Sequence, residues 1–529
     1  MSQLTDQPKT GAGGARPKVV VVGAGFGGLH AARALGKLPV DVTVIDRRNH
    51  HAFQPLLYQV ALAVLSPADI AQPIRTILRD NRNTQVLMDE VTGIDIAQRR
   101  ISLGSGARLP YDYLVLATGA THSYFGRNEW ARLAPGLKSV EDATEIRRRV
   151  LLAFELAERQ MQEHGWHPPL NFVVIGAGPT GVELAGAISD ISKLFMRRDF
   201  RHIDPTRARV LLLDGGPRVL ASYPPDLSAK AEAALKHLGV EVHTGSQVTG
   251  VGPGWVEANG ERIESAVTLW AAGVQASPLG AMLGAPTDKR GCVIVDDQMN
   301  PPGLPEVFVI GDLAHFIQDG RQLPGVAQPA MQMGDHVAKI IAADLARKPR
   351  SAFRYFDKGD MATIGRLAAV AKVEWPFKAH LSGFLAWLTW TTVHIFFLIG
   401  FRNRVFVFWN WFWTYLTFNR GARLITGDQH LPGWEEKVEA GIAWAQRSGV
   451  LSEFNRKYRH RRLEAQGRGV RVVHERGLNA PLSGGVPMVR WSPMSAAETC
   501  SAAETKVWFN VSRGSGCRTS RQFRRSGRR

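Results

Sequence analysis

Cysteine is scarce. The 529-residue chain holds three, Cys292, Cys500 and Cys517, which excludes a disulfide scaffold and suits a reducing compartment. No CxxC pair exists, so structural zinc, thioredoxin-type redox chemistry and a cysteine-held iron–sulfur cluster have no ligands to build on, and no metal site is expected. An apolar stretch of signal-peptide kind is missing from the amino end, where residues 1–15 read as a polar, glycine-rich, disordered leader. Acidic residues run short in one place. Residues 455–529 carry 17 basic side chains against four acidic, a net of +13, within a chain total of +18. A nucleic-acid footprint would therefore have to come from the tail, and the body is not a basic protein. With 45% hydrophobic residues, collagen-like and wholly disordered readings are excluded, and the length suggests several domains.

What is present begins at Lys18. Four valines, Val19 to Val22, read as a strand buried on both faces. Gly23-Ala24-Gly25-Phe26-Gly27-Gly28 follows, a G-x-G-x-x-G in which Gly23 makes the tight turn, Gly25 admits a pyrophosphate and Gly28 allows close helix–strand packing. The alanine-rich segment after it reads as a helix whose amino end offers free N–H groups to phosphate. A second strand, Val40 to Ile45, ends at Asp46, 23 residues after Gly23, where an acid can bind ribose hydroxyls.

The pattern recurs. Asn171 to Ile175 is a strand; Gly176, Gly178 and Gly181 form the turn around Pro179 and Thr180; Glu183 lies in the helix that follows. The next strand, Ala208 to Leu213, ends at Asp214, an acid that disfavours a 2′-phosphate and so favours NADH over NADPH, although Arg218 is close by. The intervening stretch, residues 190–207, is Arg-rich and reads as a longer helix or an added loop. Two intact fingerprints about 150 residues apart suit two dinucleotides in one chain. Three further strands end in turns: Leu114 to Thr118-Gly119, Leu269 to Ala272-Gly273, and Val307 to Gly311-Asp312.

In this order the motifs resemble the flavoprotein reductases with two dinucleotide-binding domains. The resemblance covers roughly residues 18–347 and implies a doubly wound α/β fold, FAD in the first domain and NADH in the second. For FAD it implies the first glycines with Phe26, Gly27, Asp46, Arg47, Gln54, Thr118, Gly119, Gly311 and Asp312. For NADH it implies the second glycines with Thr180, Asp214, Ala272 and Gly273. Disulfide reductases and sulfide:quinone reductases of this kind use paired cysteines, and Cys292 stands alone as a buried, inert thiol. Residues 326–334 (VAQPAMQMG) and 47–61 (RRNHHAFQPLLYQVA) are similar to segments of the type II NADH:quinone oxidoreductases, which extends the match to about Asp428. By that resemblance Ala327 and Gln328 lie at the flavin, with Gln328 between flavin and quinone, and Glu183 lies near the nicotinamide–flavin contact. An amide can hydrogen-bond a quinone in either redox state, and a carboxylate there can tune the flavin or relay a proton. For Glu183 the alternative is a helix amino-terminal acid held by the dipole. His50 and His51 read as structural or solvated rather than flavin contacts, and Lys372 as a solvated lysine.

Near residue 375 the composition changes. Residues 381–401 hold no Asp, Glu, Lys or Arg, and 21 helical residues would reach about 31 Å, enough to span a bilayer. Residues 405–418 are crowded with aromatics, with Asn410, Thr414 and Thr417 on one helix face and Arg402, Arg404, Arg420 and Arg423 around them. This suits a membrane interface, and an amphipathic anchor on one membrane face is favoured over a span. Residues 434–444 read as a short amphipathic helix, and the sequence beyond Arg456 as disordered.

The chain thus divides, by expectation, into a leader (1–15), a FAD-binding domain in two parts (16–125 and 289–352), an NADH-binding domain (126–288), a membrane-anchoring region (353–428) and a basic tail (429–529). The resemblance implies electron transfer from NADH through FAD to a membrane quinone without proton pumping, at the cytoplasmic face of the cell membrane, with a homodimer allowed. Two alternatives stay open. One is a soluble reductase of a ferredoxin- or rubredoxin-like carrier, and the other a nucleic-acid-binding flavoprotein using the tail.

Overall fold

The computed structural model describes residues 15–417 and 422–447. The expected leader, apart from Ala15, the tail beyond residue 447 and Arg420 lie outside the described residues.

The valine run becomes the middle of a five-stranded parallel sheet, in the order Val307–Val309, Tyr113–Leu116, Lys18–Val22, Asp41–Asp46, Thr84–Met88. Val19 to Val22 are almost wholly buried, as a central parallel strand covered on both faces requires. A second parallel sheet has the order Val240–His243, Arg209–Leu213, Asn171–Ile175, Val267–Trp270. Each sheet places its glycine turn at the carboxyl end of its central strand, next to the point where the strand order reverses, which is where such sheets bind ligands. A three-stranded antiparallel meander accompanies each, Val91–Pro110 and Val248–Glu264. The Arg-rich insertion does both things expected of it. The helix Pro179–Asp190 continues through one π turn, Ile191–Phe195, and a loop follows.

The carboxyl-terminal region opens with an antiparallel sheet, Gly359–Thr363, Ala369–Val373 and Ala379–Ser382. Here the spanning-length reading of residues 381–401 fails. The run begins inside a strand, and its helix, Gly383–Phe397, has 15 residues, about 22 Å. Gly383 and Gly400 are left-handed at φ +67° and +90°. Between them the chain turns at Leu398, which is buried and whose carbonyl accepts from Arg404 Nε at 2.7 Å. A second helix, Phe401–Thr417, then starts afresh. Among the described residues no helix is long and apolar enough to cross a membrane.

The second helix divides into a stripe held by the protein and an outward face. Asn403, Val407 and Trp411 form the buried stripe, while Phe401, Phe406, Phe408, Trp409, Phe412 and Trp413 are exposed. Asn410 and Thr417 are exposed beside them and Thr414 is half-buried. Beyond, Trp434–Arg447 is the helix expected there. Its Lys437 Nζ donates to the Ser265 carbonyl at 3.1 Å, which fastens it to the second sheet's meander.

Candidate functional site

Gly23 has φ +94°, and a Cβ there would press against the Ala117 carbonyl. A Cβ on Gly28 would collide with the Gly23 carbonyl, whereas Gly25 has open space around it. This is the geometry in which backbone approaches a pyrophosphate at a helix amino end. Asp46 braces the turn. Its Oδ2 accepts from Ala24 N–H at 2.7 Å and its Oδ1 from Arg48 N–H at 2.8 Å. His51 is buried beside it, with Nδ1 2.9 Å from the Ala24 carbonyl and its ring edge-on to Phe26 at 5.1 Å. Burial lowers its pKa and favours the neutral ring, so His51 reads as a brace of the turn. Arg47 and Gln54 are exposed.

Thr118, after the neighbouring strand, buries Oγ1 without a partner, and Gly119 turns at φ +66°. Gly311 N–H meets Met333 Sδ at 3.3 Å. Asp312 lies 3.6 Å from Lys138 Nζ, a residue that no motif marks. The Cys292 thiol is buried near the Asp312 carbonyl at 3.4 Å, and burial raises its pKa. The open cradle at Gly25, the braced turn and the orphaned Thr118 hydroxyl fit FAD, which is the cofactor of this fold family.

The second turn repeats the first. Gly176 has φ +102°, a Cβ on Gly181 would strike the Gly176 carbonyl, and Gly178 is open. Asp214 accepts from Ala177 N–H at 2.5 Å and from Gly216 N–H at 2.7 Å. The Arg218 guanidinium donates to the carbonyls of Tyr223 and Ala221, so it is engaged with backbone rather than free to counter that acid. Gly273, at φ +99°, lies under the exposed Phe125 ring. Thr180 is half-buried, and so is Ala272. These parts fit NADH.

Glu183 and Gln328 converge on one strand. Gln328, in the first turn of the helix Ala327–Leu345, donates Nε2–H to the Gly359 carbonyl at 2.8 Å, and its Oε1 is buried without a partner. Glu183 Oε1 takes a long hydrogen bond, 3.5 Å, from Thr363 N–H. The two residues thus hold opposite ends of Gly359–Thr363, about 13 Å apart along the strand. Protein surrounds the Glu183 carboxyl although its residue keeps some exposed surface. Burial raises its pKa to about 8, opposed only by the Thr363 bond. Lys372 is not the solvated lysine of the sequence reading. It pairs with Glu374 at 2.8 Å and Asp357 at 3.7 Å, which raises its pKa.

Sequence reasoning missed a buried polar cluster behind Glu183, made of Tyr58, Gln59, Thr363 and Trp411. Tyr58 and Gln59 lie within the flavin-side segment 47–61, and that was the one signal pointing to them.

Two parallel sheets in one chain, each with a glycine turn and an acid at the following strand end, define a reductase with two dinucleotide-binding domains. Known proteins agree. The chain belongs to the pyridine nucleotide-disulphide oxidoreductase family, whose pattern matches residues 17–334, and the NDH2 carboxyl-terminal domain matches residues 358–420. Within that family it belongs with the type II NADH:quinone oxidoreductases. It is 45% identical over 429 residues to the type II NADH:quinone oxidoreductase Ndh of Mycobacterium tuberculosis, covering 78% of this chain and 91% of that one. It is 29% identical to the mitochondrial internal alternative NAD(P)H-ubiquinone oxidoreductase A1 of Arabidopsis thaliana, covering 76% and 85%. The structure of Plasmodium falciparum NDH2 in complex with NADH shares the fold, with a TM-score of 0.68 at 19% identity, over 78% of this chain and 100% of that one.

Proposed function

We propose that this chain carries out the reaction its family is named for, with Glu183 and Gln328 as the residues at the reacting centre. It is an oxidoreductase that passes electrons from NADH through FAD to a quinone. FAD supplies the chemistry, accepting hydride and releasing two electrons. The chain supplies positioning. The first turn, with Asp46, Thr118 and Asp312, holds the flavin nucleotide, and the second, with Asp214 and Gly273, holds NADH. Glu183, with a pKa near 8, keeps a proton at neutral pH and can release it close to that range. Gln328 Oε1 is an acceptor ready for a hydroxyl of reduced quinone. The division into FAD-binding parts (16–125 and 289–352), an NADH-binding part (126–288) and an anchoring part (353–428) goes with this reading.

The outward aromatic face of Phe401–Thr417, with Arg402 stacked over Phe406, supports peripheral attachment to a lipid surface, since rings favour headgroup level and guanidiniums meet anionic lipid. We assign that surface to the cytoplasmic face. A homodimer is the other association this face supports. The relatives do not favour a carrier-protein reductase or a nucleic-acid-binding flavoprotein.

The observation that carries the site reading is the orphaned, buried Gln328 Oε1. The test is anaerobic. NADH bleaches the flavin of the detergent-purified protein and a short-chain quinone restores the colour. Gln328→Ala slows the restoration at least tenfold and leaves the bleaching intact. Equal slowing of both phases would sink the assignment of Gln328 to the quinone.

A further inference from the structure

The aromatic helix Phe401–Thr417 turns one indole inward. Trp411 is buried, and its Nε1–H donates to Gln59 Oε1 at 2.6 Å. Gln59 Nε2–H in turn donates to the Tyr58 hydroxyl at 3.0 Å. Thr363 Oγ1–H donates to that same hydroxyl oxygen at 2.8 Å. The backbone N–H of Thr363 is the one that reaches Glu183 at 3.5 Å. Trp411, Gln59, Tyr58 and Thr363 are all buried, where a mispaired donor or acceptor is expensive.

At the Trp411 end the directions are fixed by chemistry. An indole N–H only donates, so Gln59 must present its oxygen to Trp411 and its amide nitrogen to Tyr58; a flipped amide would set donor against donor. Tyr58 then accepts from Gln59, and its hydroxyl meets the Thr363 hydroxyl at 2.8 Å. The bonds run unbroken from Trp411 to Thr363, and moving the Trp411 end strains the Thr363 end. The same four residues line a small cavity of about 50 Å³, whose other walls include Ala187 of the Glu183 helix and Thr414 of the aromatic helix. On the opposite side of Trp411, Phe408, Trp409, Phe412 and Trp413 are exposed.

We propose that Trp411 is a positioning residue: through Gln59, Tyr58 and Thr363 it sets the distance from Thr363 N–H to the Glu183 carboxyl, so that seating the aromatic helix on lipid is felt beside the flavin. The inference rests on the reading of Glu183 as the carboxyl that titrates at the reacting centre. Trp411 touches neither cofactor nor substrate in this role. It acts by strengthening the one bond that favours ionised Glu183, and losing it raises the Glu183 midpoint. Tyr223, before the helix Pro225–His237, feels both Glu183 and Asp360, and Asp360 lies on the strand shared with Thr363, paired across it with Lys372. Burial pushes both Tyr223 and Asp360 upward, and neither is a link in the bonds that run from Trp411 to Thr363.

The test uses the full-length, flavin-loaded protein in detergent and on vesicles containing anionic phospholipid. Infrared difference titration follows the protonated carboxyl band, and Glu183→Gln identifies it. In the natural chain the midpoint lies near 8 and differs between detergent and vesicles. Trp411→Phe keeps the aromatic packing, raises the midpoint by about half a unit and makes it the same in both media. Gln59→Leu does the same, and the double variant adds nothing further. Trp409→Phe, on the outward face, leaves the detergent midpoint where it was. A Trp411→Phe midpoint equal to that of the natural chain, or a natural midpoint unmoved by vesicles, overturns the proposal. If Glu183→Gln removes no band that titrates between pH 6 and 9, the reading of Glu183 itself fails, and that outcome is distinct from the other two.

Discussion

The turns at Gly23 and Gly176 are built from the same parts. Each has a left-handed first glycine, an open third position, a sixth position where only glycine fits, and an aspartate that braces the second residue's N–H. Their helices then diverge. In the first, Gly27 packs so closely on the helix Ala327–Leu345 that a Cβ on Gly334 would strike the Gly27 carbonyl. Seven residues past the first glycine stands His30, whose Nδ1 is 3.3 Å from Asp335 of that helix. In the second, the same position is Glu183, with a long bond from Thr363 and a pKa near 8. One dinucleotide turn is locked beneath a helix, as suits a resident cofactor. The other presents an underpaired carboxyl, as suits a substrate that arrives and leaves. Identical phosphate geometry therefore does not determine the role; the neighbours do.

The strongest way to break this comparison is to close each turn in turn. Gly28→Ala and Gly181→Ala put the same Cβ against the same carbonyl. Gly28→Ala is expected to yield protein with less than about a tenth of its flavin, because that turn holds the resident group. Gly181→Ala is expected to keep its flavin and to raise the KM for NADH on the order of a hundredfold. Flavin absorbance per protein and steady-state kinetics read both outcomes. Flavin loss in both variants would mean that the two sites do not fold independently.

A smaller effect separates the two aspartates. Asp214→Asn keeps an acceptor for Ala177 N–H but drops the charge that disfavours a 2′-phosphate. The preference for NADH over NADPH, measured as a ratio of kcat/KM values, is expected to fall about tenfold. Asp46→Asn is expected to leave that ratio unchanged and to weaken flavin retention. A change in cofactor preference from Asp46→Asn would erase the distinction between the sites.

These turns were legible because their requirements are local. A left-handed φ and a carbonyl in the path of a Cβ leave glycine as the residue that fits, and spacing along one βαβ unit is written in consecutive residues. The polar cluster at Glu183 was not legible for the opposite reason. Trp411 and Gln59 are 352 positions apart, as Lys138 and Asp312 are 174 apart, and no periodicity encodes such a pair. The run at 381–401 read as longer than its helix because hydropathy counts residues. It does not register that Gly400 turns left-handed, or that the buried Leu398 carbonyl has Arg404 waiting for it.

Glu183→Gln sharpens the comparison through stability. The folded carboxyl, near 8, stands above its unfolded value of roughly 4.3. The folded protein therefore binds more protons than the unfolded chain between those limits, so the contribution of Glu183 to stability declines as pH rises through this window and is level above it. The melting temperature of the flavin-loaded natural chain is expected to drop a few degrees more between pH 6 and 9 than that of Glu183→Gln. Parallel curves would show that Glu183 is ionised in the fold.

The corresponding change in the first turn should do least. His30 and Asp335 are a third and a half exposed, so water screens their attraction, and a pair of this kind contributes about 0 to 1 kcal/mol. His30→Gln retains a group able to reach Asp335 and removes the imidazole, while the glycine contacts between the two helices are untouched. Its melting temperature is expected to stay within about 2 °C of the natural chain at pH 7, with flavin content and the KM for NADH unchanged. A loss of flavin from His30→Gln would show that the His30 pair, rather than the packing of Gly27 against Ala330 and Gly334, holds the first turn beneath its helix.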